Sequence, residues 1–189
     1  MSEHLTDEEK TTLLRLSRQT LERGVRQQVL PPLDPSTLTA ALRAEGASFV
    51  TLNKRGQLRG CIGSLQPHQP LADDVREHTI QAALEDYRFP PVQPGELSKI
   101  EIEISRLTQP AVLDYASADD LLLKLNPALD GVILRDGSRR ATFLPQVWKQ
   151  IPGQVEFLSQ LCAKMGAPRD LWRRKHLEVL TYRVEEFHE

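Results

Sequence analysis

The chain has 189 residues, of which 24 are Lys or Arg and 26 are Asp or Glu, so its formal net charge is −2. This near balance argues against bulk electrostatic binding to nucleic acid or to an anionic membrane. No apolar run approaches the roughly 20 residues of a membrane-spanning helix, and the acidic beginning, which includes Glu3 and Asp7, is unlike a secretion signal. Two cysteines, Cys61 and Cys162, are too few for a disulfide framework, so we expect a protein of the reducing cytoplasm.

The first 48 residues are predicted to be mainly helical. Thr6 and Glu9 match a capping box, and the leucines that follow recur at near-helical spacing. Prolines between residues 31 and 35 favour an extended segment, because proline disfavours the helical conformation of the residue before it. A short helix is expected to follow Ser36 and to end near Gly46.

From Ala47 the apolar residues change to the period of two that is typical of strands. The pattern predicts a strand over 49–52, a four-residue turn over 53–56 and a second strand over 57–62, which together form a hairpin. Further helices are predicted at 71–86, after Ser117, at 155–165 and near 171–175. Further strands are predicted at 99–105, on either side of Asp136-Gly137, and at 180–184.

Hairpins that alternate with helices favour an α+β fold over a doubly wound parallel sheet. We therefore expect one domain over residues 1–189, with helices flanking an antiparallel or mixed sheet. A small basic patch surrounds Trp172, and we interpret it as a solvated helix face whose tryptophan packs inward. Nucleic acid is accordingly not a predicted partner.

The segment Leu58–Gly63 combines an arginine, a cysteine and two glycines on one predicted strand. Strand alternation places Arg59, Cys61 and Gly63 on one face, with the backbones of Arg59 and Cys61 about 6.6 Å apart. A guanidinium ~7 Å from a thiolate stabilises its charge by roughly 2 kcal/mol, which favours the thiolate near physiological pH. Gly60 and Gly63 have no side chain to block a ligand. The segment therefore predicts a reactive thiolate beside a fixed positive charge.

Each of these residues also has a purely structural interpretation. Cysteine is a common core residue, and glycines in strands often mark bulges or tight packing. No histidine is placed as a base for Cys61, and His78, in the middle of a predicted helix, is expected at the surface. Asp74 is interpreted as a charge that favours the N-terminus of the same helix.

Glu101 and Glu103 share one face of the strand at 99–105. Paired carboxylates can act as acid and base or bind a metal, but glutamates that alternate along a strand are also typical of a solvated face. No group of His, Cys and Asp residues has the spacing of a metal site, so no metal is predicted.

Five separated motifs resemble the AMMECR domain family, which is also labelled protein A of the AmmeMemoRadiSam gene grouping. The motifs are Phe49-Val50-Thr51-Leu52, Leu58–Gly63, Arg88-Phe89-Pro90-Pro91, Ile102-Glu103-Ile104-Ser105 and the segment from Thr142 to Trp148. The resemblance runs from about residue 49 to residue 187, and residues 1–48 are expected to pack on this part as N-terminal helices. Tyr87 departs from the family pattern, which usually has proline before the Arg-Phe pair.

The resemblance implies an α+β fold with a larger lobe, a smaller lobe and a cleft between them. It also implies that Arg59 and Cys61 lie near that cleft. The gene grouping implies a Memo-like protein and a radical SAM protein as partners. The family has no settled reaction, so the resemblance implies no substrate and leaves the cofactor unknown.

Our first hypothesis is a cytoplasmic enzyme, or a subunit of one, that modifies a small molecule or a protein. Cys61 is then the nucleophile or covalent carrier, and Glu103 is an acid–base residue or a partner of an arginine. The expected substrate-binding residues are Arg59, Gly60, Gly63 and Arg88.

The second hypothesis is a non-catalytic adaptor that binds a partner protein in the cleft. Arg59 and Glu103 then form a structural ion pair, and Cys61 is inert packing. Regulation through nucleic acid is a third alternative.

Overall fold

The computed structural model describes residues 4–189, so Glu3 and the two residues before it lie outside the described residues. Within this range the α-helices are α1 (Asp7–Val25), α2 (Ala40–Arg43), α3 (Leu71–Leu84), α4 (Ala118–Lys124), α5 (Gln154–Lys164) and α6 (Leu171–Arg174). The strands are β1 (Glu45–Lys54), β2 (Gln57–Gly63), β3 (Gln69–Pro70), β4 (Ile100–Leu107), β5 (Ala111–Val112), β6 (Gly131–Asp136), β7 (Arg139–Phe143), β8 (Glu178–Tyr182) and β9 (Val184–His188). Short 3-10 helices cover Pro35–Thr37, Pro94–Lys99 and Pro145–Lys149.

The chain divides into two compact units, each with its own hydrophobic core. The first unit comprises the described residues up to Thr108 together with Glu185–Glu189, and the second is Gln109–Val184. Both contain helices and antiparallel strand pairs, which confirms the predicted α+β class. No helix between residues 4 and 189 is long and apolar enough to cross a membrane.

The sheet of the first unit has the strand order β2-β1-β4-β9, and β3 also pairs with β1. Val50 and Leu52 on β1 lie opposite Ile104 and Ile102 on β4, and all four side chains are fully buried. Burial of each aliphatic side chain contributes roughly 2 kcal/mol to stability. The alternation of isoleucine and glutamate predicted β4 correctly, because only one face of this strand enters the core.

Helix α1 begins where its sequence predicts. The Thr6 hydroxyl accepts the Glu9 backbone N–H at 3.2 Å, and the Glu9 carboxylate accepts the Thr6 N–H at 2.8 Å. This capping box is confirmed, and Leu13 and Leu21 bury the predicted apolar face. Helix α3 packs against β1 and β2.

Two predictions around the first hairpin are wrong. The helix expected to end near Gly46 is only a 3-10 turn followed by the four-residue α2, and Gly46 already belongs to β1. A Cβ at Gly46 would lie 2.8 Å from the Leu71 Cβ, so the glycine permits close packing against α3. The hairpin turn consists of two residues, not four. Arg55 and Gly56 both have positive φ, 54° and 74°, which suits the right-handed twist of the flanking strands.

The second unit contains a four-stranded antiparallel sheet with the order β5-β8-β6-β7. Its core includes Trp148 and Phe157, whose rings stack with centroids 3.6 Å apart. Trp172 is also buried, which confirms that it packs inward. The predicted strand at 180–184 is wrong in its extent: β8 ends at Tyr182, and Val184 begins the separate strand β9.

Candidate functional site

The face of the first sheet opposite the core carries a row of three polar side chains on neighbouring strands. Thr51 on β1 is paired with Cys61 on β2 and with Glu103 on β4. The Thr51 hydroxyl donates a hydrogen bond to the Cys61 Sγ at 3.3 Å, and all three residues are half-buried. Since neighbouring strands are about 4.8 Å apart, the backbones of Cys61 and Glu103 are separated by roughly 10 Å. The sheet thus brings a thiol, a hydroxyl and a carboxylate to one face.

The backbone of Cys61 is held from the outer side of β2 by one ion pair. Its N–H donates to the Asp86 Oδ2 at 2.9 Å, and its carbonyl oxygen accepts from the Arg88 Nη2 at 2.9 Å. The Asp86 carboxylate accepts two hydrogen bonds from the Arg88 side chain, at 2.9 and 2.7 Å, and a third from the Arg88 backbone N–H at 3.2 Å. We call this pair the Asp86–Arg88 clamp. Because β2 is an edge strand, the clamp satisfies backbone groups that would otherwise lack a neighbouring strand.

Electrostatics strengthens the clamp. The hydrogen bonds from Arg88, together with the Cys61 N–H, hold the pKa of Asp86 well below its usual range, although burial of the carboxylate opposes this shift. The carboxylate of Asp86 in turn raises the pKa of Arg88. Arg88 is therefore a cation that is held beside Cys61 by its hydrogen bond to the Cys61 carbonyl oxygen. Its side chain is still 42% exposed, so part of the guanidinium can reach a ligand.

Arg59 is engaged elsewhere. Its Nε and Nη2 each donate to the Glu96 carboxylate at 3.1 Å, and the Lys54 Nζ lies 2.6 Å from the same carboxylate. These hydrogen bonds, those of Arg59 foremost, lower the pKa of Glu96 to about 2. The ion pair expected between Arg59 and Glu103 is wrong, because Glu96 supplies the carboxylate. Among the described atoms, the buried Arg59 Nη1 has no hydrogen-bond partner.

A β-bulge explains the position of Arg59. The ladder pairs Leu52 with Gly60 but Asn53 with Leu58, so Arg59 is an extra residue without a cross-strand partner. A bulge breaks strict alternation and re-aims side chains. The bulge interrupts the alternation from which a common face of Arg59 and Cys61 was predicted, and the Arg59 guanidinium binds Glu96.

The two glycines of the segment are occupied by protein atoms. A Cβ at Gly60 would lie 2.1 Å from the Ala82 carbonyl oxygen of α3, and one at Gly63 would lie 2.3 Å from the Phe49 ring. Both glycines permit close packing, of a helix in the first case and of an aromatic ring in the second. Protein atoms therefore fill the space beside both glycines that was expected to admit a substrate.

His78 is buried, contrary to the surface position expected for it. Its Nδ1 lies 3.2 Å from the Asp74 Oδ2, and Asp74 is itself fully buried and accepts a hydrogen bond from the Ser48 hydroxyl at 2.6 Å. Asp74 lies in the first turn of α3, as predicted, but it is also a buried carboxylate that contacts Ser48 and His78. Across residues 4–189, no group of three or more His, Cys, Asp or Glu side chains is arranged to hold a metal ion.

Asp86 and Glu96 are the site residues that sequence reasoning missed. The available signal for Asp86 was its position, just after the predicted helix and two residues before Arg88. Glu96 gave no such signal, because it lies 37 positions from Arg59 and outside any predicted element.

The fold and this site together define an α+β protein with a thiol-bearing edge strand that is clamped by a neighbouring loop. Residues 14–187 match the AMMECR1 family model, so the chain belongs to the AMMECR1 family. The match begins within α1 and therefore includes most of the N-terminal helix.

Several archaeal proteins are similar over nearly their whole length. A protein of Methanothermobacter thermautotrophicus is 38% identical over 98% of this chain and 96% of its own length. A protein of Thermofilum pendens is 37% identical over 97% of this chain and 91% of its own length. The crystal structure of an uncharacterized protein from Pyrococcus horikoshii has a TM-score of 0.75 and 32% identity, covering 98% of this chain and 93% of that one.

Proposed function

We propose that the protein is a thiol-dependent enzyme, or a subunit of one, that modifies a small molecule or a protein. The observation that supports this most strongly is the setting of Cys61. The residue is half-buried, its sulfur accepts a hydrogen bond from Thr51, and the clamp binds both its N–H and its carbonyl oxygen. The bond from Thr51 acts on the sulfur itself, whereas the clamp fixes the backbone that carries it.

The chemistry follows from the groups around Cys61. The Thr51 hydroxyl donates a hydrogen bond to Sγ, the Arg88 guanidinium binds the Cys61 carbonyl oxygen, and the thiolate is the nucleophilic form of cysteine. Sγ forms a bond to an electrophilic carbon of the substrate, and the leaving group departs from that carbon with its bonding electron pair. Glu103, on the same face but separated from Cys61 by the strand of Thr51, is the acid–base residue of this proposal: it takes the thiol proton through a water molecule and returns it to the leaving group by the same route.

The arginines have different roles in this proposal. Arg88 binds an anionic group of the substrate through the exposed part of its guanidinium. Arg59 is bound to Glu96 and its unpaired nitrogen, Nη1, is buried, so it would contact an anion only after a local rearrangement. The proposal places the protein in the cytoplasm, with a Memo-like protein and a radical SAM protein as partners.

Alkylation of the native protein by iodoacetamide tests the proposal, because Cys162 is fully buried and serves as an internal control. We expect Cys61 to react at least about tenfold faster at pH 7 than free cysteine, and Cys162 to remain unmodified. Thr51→Val keeps the shape of the side chain but removes the donor, and should slow alkylation of Cys61. Mass spectrometry of tryptic peptides gives both rates. If Cys61 were alkylated no faster than free cysteine, its role as the nucleophile would be excluded.

The adaptor remains the second candidate, and Tyr87 favours it. This tyrosine precedes Arg88 of the clamp and is 94% exposed, and exposed aromatic residues often anchor protein interfaces. Binding of a Memo-like protein to Cys61→Ser and to Tyr87→Ala separates the two functions. An adaptor would retain binding in Cys61→Ser and lose it in Tyr87→Ala.

A further inference from the structure

A groove of about 530 Å³ lies in the first unit, away from the residues of the proposed function. One wall is α1 and the other is the proline-containing segment 28–38. The volume falls within the roughly 300–1,000 Å³ that is typical of small-molecule sites. Four arginines line the groove: Arg15, Arg23, Arg26 and Arg76.

Two of these arginines hold the wall formed by residues 28–38 in place. The Arg23 Nη1 donates to the Val29 carbonyl oxygen at 3.3 Å, and the Arg76 Nη2 donates to the Pro31 carbonyl oxygen at 2.9 Å. Because proline also restricts the backbone, this wall is formed before any ligand binds. Each guanidinium has five N–H donors, so most of them remain for a ligand.

The charges in the groove do not cancel. The carboxylates that line it are Glu22, which lies 3.7 Å from the Arg26 guanidinium, and Asp34. Asp34 accepts hydrogen bonds from the Ser36 N–H and hydroxyl, and these bonds lower its pKa, so that it stays ionised. Four cations against two carboxylates leave an excess of two positive charges, in a chain whose net charge is −2.

Arg15 differs from the other three arginines because its guanidinium binds no other part of the described protein. Its side chain is exposed on α1 and makes no hydrogen bond or ion pair with any residue between 4 and 189, whereas the guanidinium groups of the other three arginines all bind the protein. A guanidinium that faces a groove and has no partner in the fold is available for an anionic ligand.

Apolar side chains also line the groove. Leu16, Leu33 and Leu38 are half-buried side chains that contact the core on one side and line the groove with the other. We propose that this groove binds an amphipathic anion, a small molecule whose phosphate or carboxylate is held by the arginines and whose apolar body lies on these leucines. The proposal does not depend on Cys61.

Isothermal titration of the full chain with octyl phosphate tests this assignment. We expect saturable binding at one site, with inorganic phosphate and octanol each binding at least about tenfold more weakly, because each supplies only half of the contacts. Arg15→Gln should weaken binding of octyl phosphate about tenfold. Arg43→Gln, which removes an exposed arginine outside the groove, should leave it unchanged. Cys61→Ser should also bind normally, which separates this test from that of the proposed function.

Two results would overturn the proposal. Equal affinities of Arg15→Gln and the unmodified chain, with matching circular dichroism spectra, would show that the arginines do not recognise the anion. Sedimentation with phosphatidic acid vesicles, without binding of monomeric octyl phosphate, would show that the groove recognises a lipid surface and not a soluble molecule.

Discussion

The backbone N–H of Cys61 donates a 2.9 Å hydrogen bond to the carboxylate of Asp86, whose side chain is only 1% exposed. A buried carboxylate is costly unless its charge is compensated, and here Arg88 compensates it through two contacts. Asp86 therefore links the end of α3 to the edge strand. This link holds the backbone of Cys61 on the side of β2 that faces away from β1.

Asp86→Asn is expected to lower the free energy of unfolding by about 2 kcal/mol, because Arg88 loses its charged partner. Urea denaturation followed by circular dichroism measures the change. Glu85→Gln is a matched control, since it neutralises an exposed carboxylate one position earlier and should change stability by less than about 0.5 kcal/mol. Equal stabilities of the two variants would contradict a structural role for the clamp.

Gly60→Ala is expected to cost about 2–3 kcal/mol, because the new methyl group would lie 2.1 Å from the Ala82 carbonyl oxygen, a backbone atom that can move only with α3. Gly95→Ala is the control: nothing lies within 4 Å of its added Cβ. Thermal unfolding of the two variants under the same conditions compares them. If the two variants had the same melting temperature, the contact between β2 and α3 would be looser than the geometry requires.

The sequence predicted elements well where one periodicity dominates. The isoleucines of β4 alternate without interruption, and the capping box of Thr6 and Glu9 is entirely local, so neither depends on distant residues. Both were located correctly for that reason.

Features that depend on contacts between distant segments could not be predicted. The bulge at Arg59 arises where β2 meets β1 and α3, and the guanidinium finds its partner 37 positions away in Glu96. His78 was expected at the surface from its position in the middle of a helix, yet it is buried and lies beside Asp74, one turn earlier on α3. In the site, sequence placed Cys61 and Glu103 on strands, but the clamp residue Asp86 became visible only in three dimensions.

Glu96 makes stability depend on pH in a predictable direction. Its pKa is lowered to about 2 by the hydrogen bonds from Arg59 and Lys54, whereas an unfolded glutamate titrates near 4.3. A depressed pKa in the folded state contributes stability that is fully present above about pH 5 and is lost as the pH falls toward 2. Glu96→Gln should therefore be less stable than the unmodified chain at pH 6, by on the order of 2 kcal/mol, and the difference should shrink as the pH approaches 2.

Urea titrations between pH 2 and pH 6 measure this difference, and Glu101→Gln, which alters an exposed carboxylate on β4, is the control. A difference independent of pH would mean that Glu96 acts through packing and not through its charge.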